Sequence, residues 1–234
     1  MDAQQLENRN ELDAMVVNVE LTLSSIVQGV ALSVLADSAR SVLSSGTRTA
    51  WPYVAAGLLI ILLFWSRSLI HTLTLIRWPL EFGHNCLYIT CALVEVLAFT
   101  RLTDPFLWFL LVAVFAAVVW FVFVYDLKMI RQRIADSPGD SGCALYAIVM
   151  RDQWLNIRLI VPTVFLFNLA AAAAIHFAPD FSLRRHAHLL FICVEAAGLL
   201  LYLLFLVRSF IKMTPLIAAT RLDWRRRREP WPND

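Results

Sequence analysis

Four charged side chains lie inside stretches of sequence that are otherwise apolar: Glu20, Arg67, Glu95 and Glu195. A charged residue at the centre of a bilayer costs about 2.5–3.5 kcal/mol on insertion scales, so four unpaired charges would cost on the order of 10 kcal/mol. That is comparable with the whole stability of a domain. Such residues are therefore paired, neutral or hydrated, and they mark ion and proton pathways. The chemistry they indicate is binding, relaying or gating a small ion.

The first apolar stretch, residues 18–40, carries two polar stripes. Glu20, Ser24 and Gln28 recur every four residues, so on a helix they fall on one side. A second stripe of small polar residues runs beside them: Thr22, Ser25, Gly29 and Ser33. The remaining arc is apolar and is predicted to face lipid: Leu23, Ile26, Val27, Val30 and Val34. The pattern predicts that all of the polarity faces protein or water.

The second apolar stretch carries a basic pair. Arg67 and His71 are four residues apart, which places them on one face of a helix. Counting from the helix ends puts both at the depth of Glu20, in the inner half of the membrane. The sequence therefore predicts a cluster of Glu20 with Arg67 and His71. Two interpretations stay open: an ion pair that only fixes helix packing, and a transport or gating role.

Two acidic residues and one amide lie deeper in the predicted bundle. Glu95 and Glu195 fall in the outer half, where no basic residue within a span lies at their depth. Asn168, midway along the fifth stretch, is predicted to hydrogen-bond to another helix or to bind an ion. The candidate pathway or gating residues are Glu20, Ser24, Gln28, Arg67, His71, Glu95, Asn168 and Glu195.

These residues must be positioned by membrane helices. The 234-residue chain is 59% hydrophobic and only 16% charged, against roughly 25% charged in soluble domains. Six stretches are long and apolar enough to cross a bilayer. They lie near residues 15–38, 51–77, 86–102, 105–126, 157–178 and 187–211. The predicted fold is an all-α integral membrane protein with a six-helix domain at 15–212, a polar segment at 1–14 and a basic tail at 213–234.

The placement of basic residues predicts the orientation. With six spans, 14 Lys and Arg residues lie on the side of the termini and 5 on the other side. Because basic residues mark the cytoplasmic side, both termini are predicted to be cytoplasmic, in the plasma (inner) membrane. The first 14 residues are polar and acidic, which is the wrong composition for a cleavable signal peptide. The first span is therefore expected to be a permanent membrane helix.

Three structural expectations concern the later helices. Residues 127–156 are predicted to form a cytoplasmic loop that contains either a short interfacial helix or an extension of the fifth span. The fifth span carries Ala170 to Ala174, and small residues favour close helix contact, so it is predicted to lie in the bundle interior. The fourth span, which has no strongly polar side chain before Tyr125, is predicted to face lipid.

No catalytic motif, metal site or cofactor site is predicted. The chain lacks HExxH, GxSxG and a Walker A sequence, so no enzyme activity is expected. His176, His186 and His188 lie close together in sequence, but Arg184 and Arg185 would compete with a metal cation there. We therefore predict no cofactor and no metal.

The C-terminal tail carries four consecutive arginines, Arg225, Arg226, Arg227 and Arg228. Such a run would bind anionic inner-leaflet lipids with about 1 kcal/mol per basic residue. The alternative is a plain anchor that follows the charge rule for orientation. Lipid is the predicted partner of the tail. The whole chain is also predicted to form a homo-oligomer, and no nucleic-acid partner is expected.

The layout resembles six-helix potassium channels of the lysosomal type and their bacterial relatives. These proteins also have a polar first helix and an aromatic pair before polar residues in the second, as in Phe64-Trp65-Ser66-Arg67 here. The Phe-Ser-Asp marker of that family is absent from the corresponding residues 8–23, so no residue role is transferred. Two functions are carried forward: an ion or proton channel or small transporter, and a non-conducting membrane scaffold or accessory subunit.

Overall fold

The chain is entirely helical in a computed structural model that describes residues 3–75, 82–136 and 140–226. The connections that fall within these residues are short. The helices are α1 (Ala3–Ser44), α2 (Trp51–Leu75), α3 (Phe82–Phe99), α4 (Pro105–Asp136), α5 (Asp140–Leu155), α6 (Val161–Phe177) and α7 (Ala187–Arg226).

Six of the helical segments are long and apolar enough to cross a membrane, as the hydropathy predicts. They run over Ala14–Ser44, Arg48–Leu75, Phe82–Phe99, Pro105–Ala135, Gly142–Phe177 and Ala187–Thr220. The fifth of these segments differs most from the expected bounds, and the fourth is also longer than expected, because helix continues through much of the predicted loop at 127–156.

The fifth membrane segment is built from α5 and α6, joined without a break by a wide π-helical turn at Asn156–Ile160. Of the two alternatives for this region, the structure has the extension of the fifth span. The charges of Arg151, Asp152 and Arg158 lower the local hydropathy but do not interrupt a helix. Arg158 lies over the Trp154 ring at 4.4 Å, which provides an aromatic partner for its exposed charge. Trp120 of α4 donates a hydrogen bond to the carbonyl oxygen of Ile157 inside the π turn, at 3.1 Å.

The fourth helix lies inside the bundle, which corrects the prediction that it faces lipid. It packs against α3, α5 and α6, and 39% of its most apolar 18-residue stretch is buried, against 28% for that of the α5–α6 segment. Trp108 and Phe109 are fully buried beside Tyr53 of α2. Apolar side chains suit a protein core and lipid tails equally well, so the absence of polar residues does not distinguish the two environments.

The two polar stripes of α1 have different surroundings. Glu20, Ser24 and Gln28 are buried against α2 and α3, as predicted. Thr22, Ser25, Gly29 and Ser33 are exposed, which corrects the expectation that all the polarity of this helix faces inward. The Thr22 and Ser25 hydroxyls donate to backbone oxygens four residues earlier, at 2.8 and 2.7 Å. A hydroxyl bonded to its own helix needs no other partner, so it is compatible with lipid.

Candidate functional site

Two histidines and an aspartate meet at the end of the bundle where α2 and α3 are connected. Asp126 Oδ2 lies 3.4 Å from His71 Nδ1, and Asp126 Oδ1 lies 3.1 Å from His84 Nδ1. The two imidazole rings are stacked with centroids 4.2 Å apart. His71 lies near the end of α2 and His84 in the first turn of α3, so the α2–α3 connection brings them to the same level. Within the described residues, they form the one group of three His, Cys, Asp or Glu side chains that could hold a metal ion.

A buried ion pair lies one helical turn further into the bundle. Arg67 pairs with Asp152 of α5, and its second terminal nitrogen donates to Gln153 Oε1 at 3.1 Å. The guanidinium also lies over the ring of Phe123, 4.9 Å from its centroid. Asp152, rather than Glu20, is thus the ion-pair partner of Arg67. The predicted Glu20–Arg67 pair is wrong because the prediction placed residue 152 in a loop outside the bundle.

Gln153 connects the ion pair to the histidine cluster. Its amide nitrogen donates to the backbone oxygen of Phe123 at 2.8 Å and lies 3.4 Å from Asp126 Oδ2. On the other side of the pair, Asn156 donates to the Asp152 backbone oxygen and accepts a 2.5 Å hydrogen bond from Tyr202 of α7. The polar side chains of α2, α4, α5 and α7 therefore form one connected network.

A cavity of about 130 Å³ opens between these polar groups and an apolar wall. Its polar end is formed by Arg67, His71, His84, Asp126 and Asp152. Aromatic rings of Phe64 on α2 and of Phe115 and Phe123 on α4 also line the cavity. A void needs only roughly 10–15 Å³ of this kind of volume to hold one water, so the cavity has room for several waters or a hydrated ion.

A ladder of polar contacts continues from this cavity along the interface of α1, α2 and α3. The Ser24 hydroxyl is 2.8 Å from the hydroxyls of both Ser68 and Tyr88. One turn further along α1, Gln28 Nε2 lies 3.4 Å from Oε2 of Glu95, which is two turns beyond Tyr88 on α3. Tyr88 and Glu95 lie on the same buried face of α3 as the histidine at residue 84, and that face extends about 16 Å along the helix axis.

A separate acidic site lies near the opposite end of the bundle. The indole nitrogen of Trp108 donates to Glu195 Oε2 at 3.2 Å, and Asn168 also contacts this carboxyl group. Trp108 is 18 residues from Asp126 along α4, a distance of about 27 Å at 1.5 Å per residue. That separation approaches the roughly 30 Å thickness of the hydrocarbon core. The buried carboxyl groups are therefore distributed over nearly the full depth of a membrane.

An aromatic layer separates the ladder from this acidic site. Phe99 lies one turn beyond Glu95 on α3 and stacks against Trp108 with ring centroids 6.3 Å apart. Phe99 and Trp108 are both fully buried. The indole of Trp108 therefore contacts Glu195 through its nitrogen, while its ring packs against Phe99, the residue one turn beyond Glu95.

All eight predicted pathway residues lie within the bundle, but in three groups. The first group, Glu20, Arg67 and His71, lies at the cavity end, where the Glu20 carboxylate is close enough to His71 to interact electrostatically. The second comprises Ser24, Gln28 and Glu95. The third, Asn168 and Glu195, lies beyond the aromatic layer.

The prediction missed the residues that complete these groups: His84, Tyr88, Asp126, Asp152 and Gln153. A usable signal exists on α3, where residues 84, 88, 91 and 95 follow helical spacing and mix polar with small side chains. Asp126 and Asp152 have no such signal, because each stands at the edge of an apolar stretch and resembles a helix-terminal charge.

The histidines near residues 176–188 have separate surroundings. His188 is buried and bonds to the Ser182 backbone oxygen at 2.8 Å, while its ring stacks on Tyr53. Arg225 and Arg226 end α7, and Arg227 and Arg228 lie outside the described residues. Lipid binding by the tail stays a prediction.

Comparison of the chain with protein-family models, with curated proteins and with solved structures gives no match.

Proposed function

We propose that this polytopic membrane protein conducts or transports protons or small cations through its helix bundle. The observation that carries the proposal is the series of buried carboxyl groups over about 27 Å of depth, worked out above from the helical rise. Two of them, Glu95 and Glu195, have no basic ion-pair partner among the residues that the structure describes. Both are more than nine-tenths buried.

An isolated buried carboxyl group is a poor device for holding helices together. Removing its charge from water costs several kcal/mol, and an apolar residue of similar volume packs as well or better. Each of these two acids instead faces neutral groups: Gln28 beside Glu95, and Trp108 with Asn168 beside Glu195. A carboxyl group in that setting is suited to gaining and losing a proton or to binding a cation transiently.

The ladder supplies groups that can pass a proton between the cavity and Glu95. The hydroxyls of Ser24, Ser68 and Tyr88 lie within 2.8 Å of one another in two pairs, and a hydroxyl both donates and accepts. We propose that the aromatic layer of Phe99 and Trp108 is the closed gate, since a dry apolar constriction blocks ion passage. In this proposal, opening moves the indole away from Glu195.

A scaffold or accessory subunit is the second candidate function, and the network around Arg67 favours it. Arg67, Asp152, Gln153, Asn156 and Tyr202 are bonded to each other across three helices, which is how polar residues stabilise membrane bundles. The two functions are compatible in one molecule. The network would fix the packing at one end, and the unpaired acids would carry ions.

Orientation and assembly are part of the proposal. The 14-to-5 distribution of basic residues supports cytoplasmic termini. Only 17% of the most apolar 18-residue stretch of α7 is buried, which leaves a broad apolar face for lipid or for a second copy of the chain in a homo-oligomer. The arginine run from residue 225 would then lie against anionic lipid of the inner leaflet.

Flux through reconstituted protein tests the proposal. Purified protein in liposomes is assayed for proton and monovalent cation flux as wild type and as Glu95→Gln and Glu195→Gln. Asp37→Asn is the matched control, because that side chain is 75% exposed on the surface of α1. We expect the two glutamine variants to fall to the level of empty liposomes and the control to match wild type. No flux from wild type for any ion tested would favour the scaffold.

A further inference from the structure

We infer that His71, His84 and Asp126 form a binding site for a divalent transition-metal ion of the Zn²⁺ class. The three side chains come from α2, α3 and α4, and each can offer one ligand atom such that all lie within 4.8 Å of one another. The site is inferred from its own ligand chemistry and does not depend on the proposed transport function.

The spacing of the ligand atoms matches a tetrahedral metal site. With metal–ligand bonds of about 2.0–2.1 Å, neighbouring ligand atoms of tetrahedral zinc lie roughly 3.4 Å apart. The distances from His71 Nδ1 to Asp126 Oδ2, 3.4 Å, and from His84 Nδ1 to Asp126 Oδ1, 3.1 Å, are of this size, and a single carboxylate oxygen reaches both nitrogens within the 4.8 Å spread of the group after a small shift of the side chains. The two rings are stacked in parallel, so their in-plane lone pairs lie in separate planes, and both rings must rotate about χ2, a torsion with broad energy wells, to direct a nitrogen at one ion.

The ligand types select the class of ion. Imidazole nitrogens suit Zn²⁺ and its first-row neighbours, whereas Mg²⁺ and Ca²⁺ take oxygen ligands. Two histidines and one carboxylate form a three-ligand set that leaves a fourth position open. The adjoining cavity of about 130 Å³ has room for a water or another ligand in that position.

The charge of the cavity lining and a hydrogen-bonding contact to Asp126 favour a cation at this place. Among the charged residues that line the cavity, the carboxylates of Asp126 and Asp152 face one guanidinium, that of Arg67. With neutral imidazoles the group therefore carries a net negative charge, which a divalent ion would offset. Gln153 Nε2 lies 3.4 Å from Asp126 Oδ2 and holds the carboxylate in place, as outer partners of metal ligands do.

The position of the site gives an ion a short route from water. His71 lies four residues before Leu75, the last described residue of α2, which is about 6 Å along the helix axis. His84 is the third residue of α3. An ion would enter at the end of the bundle and would not need to cross the apolar interior.

Metal binding by the full-length protein without a polyhistidine tag tests the inference. Protein in detergent is stripped with chelator, equilibrated with Zn²⁺ or Co²⁺, and measured for bound metal and for the visible absorption of tetrahedral Co²⁺. The variants are His84→Gln and Asp126→Asn, and the control is the double variant His176→Gln, His186→Gln, whose two rings are exposed.

We expect one ion per chain and the tetrahedral spectrum in wild type and control. In either ligand variant the affinity should fall by at least about tenfold, the lower end of the loss seen when only an outer partner is removed. Zn²⁺ should also raise the melting temperature of wild type and control but not that of His84→Gln, whose fold is checked by circular dichroism. Equal binding in wild type and His84→Gln, or binding only in the octahedral geometry of surface ions, would overturn the inference. A histidine–aspartate ion pair without metal affinity would then explain the contacts.

Discussion

The Arg67–Asp152 pair should dominate the stability of the cavity end. Its side chains are 14% and 10% exposed, so removing one partner leaves the other charge nearly buried. Such losses cost about 3–5 kcal/mol in protein interiors. We expect Arg67→Gln and Asp152→Asn each to destabilise the protein by about 3 kcal/mol. The double variant should lose less than the sum, with a coupling free energy of about 1–2 kcal/mol, within the range found for residues in contact.

The measurement is reversible unfolding in mixed micelles, followed by circular dichroism for the wild type, two single variants and the double variant. A parallel cycle with Glu20→Gln in place of Asp152→Asn is the control, because Glu20 was the partner expected from the sequence. That cycle should be additive to within about 0.5 kcal/mol, as for side chains without shared contacts. Additivity for Arg67 with Asp152, or strong coupling for Arg67 with Glu20, would refute the assignment of the pair.

Three further substitutions test the packing of the bundle by the same unfolding measurement. Gly57→Ala should cost about 1–3 kcal/mol by overpacking, since an added Cβ would meet side chains of α1 and α3 at 2.9 and 3.2 Å, whereas Gly29→Ala, with open space at its Cβ, should cost nothing. An equal effect of the two would contradict this packing. Trp108→Phe should cost about 1–3 kcal/mol by removing the donor to Glu195. A loss of stability in Trp108→Leu but not in Trp108→Phe would assign the effect to ring volume instead. Ser24→Ala should cost about 1–2 kcal/mol for its two hydrogen bonds, and an unchanged unfolding midpoint would show that both are dispensable.

The number of membrane helices could be predicted from hydropathy, but the start of the fifth could not. Residues 142–155 include Arg151, Asp152 and Gln153, which reduce hydropathy and so indicate a loop. Asp152 and Gln153 find polar partners on α2 and α4, which lie far away in sequence, and Arg151 is exposed. Hydropathy measures how well a side chain tolerates lipid. It does not include polar partners on other helices, and only the three-dimensional structure shows those partners.

The charged residues of the candidate site could be identified from the sequence, because inserting a charged side chain into a membrane costs free energy whatever its neighbours are. This is why Glu95 and Glu195 are both found buried, as the insertion penalty implies. Their partners depend on helix order and rotation, which the sequence pattern does not specify. The sequence pattern also fails to specify that α4 is buried and that the hydroxyls of the second stripe of α1 are exposed. An apolar ring, or a Thr22 hydroxyl bonded to its own helix, is acceptable both in lipid and in a core.

The π-helical turn at Asn156–Ile160 has a consequence for the angular phase of the fifth membrane segment. Asp152 and Asn168 are 16 residues apart, which on a regular α-helix at about 100° per residue would place them about 160° apart, on opposite sides. A π turn absorbs one extra residue without advancing the helix, and the difference falls to about 60°. The insertion therefore lets a single helix present Asp152 to one polar group and Asn168 to the other, both toward the interior. A deletion that removes the extra residue would leave both groups facing inward, whereas a second insertion would turn one of them to lipid.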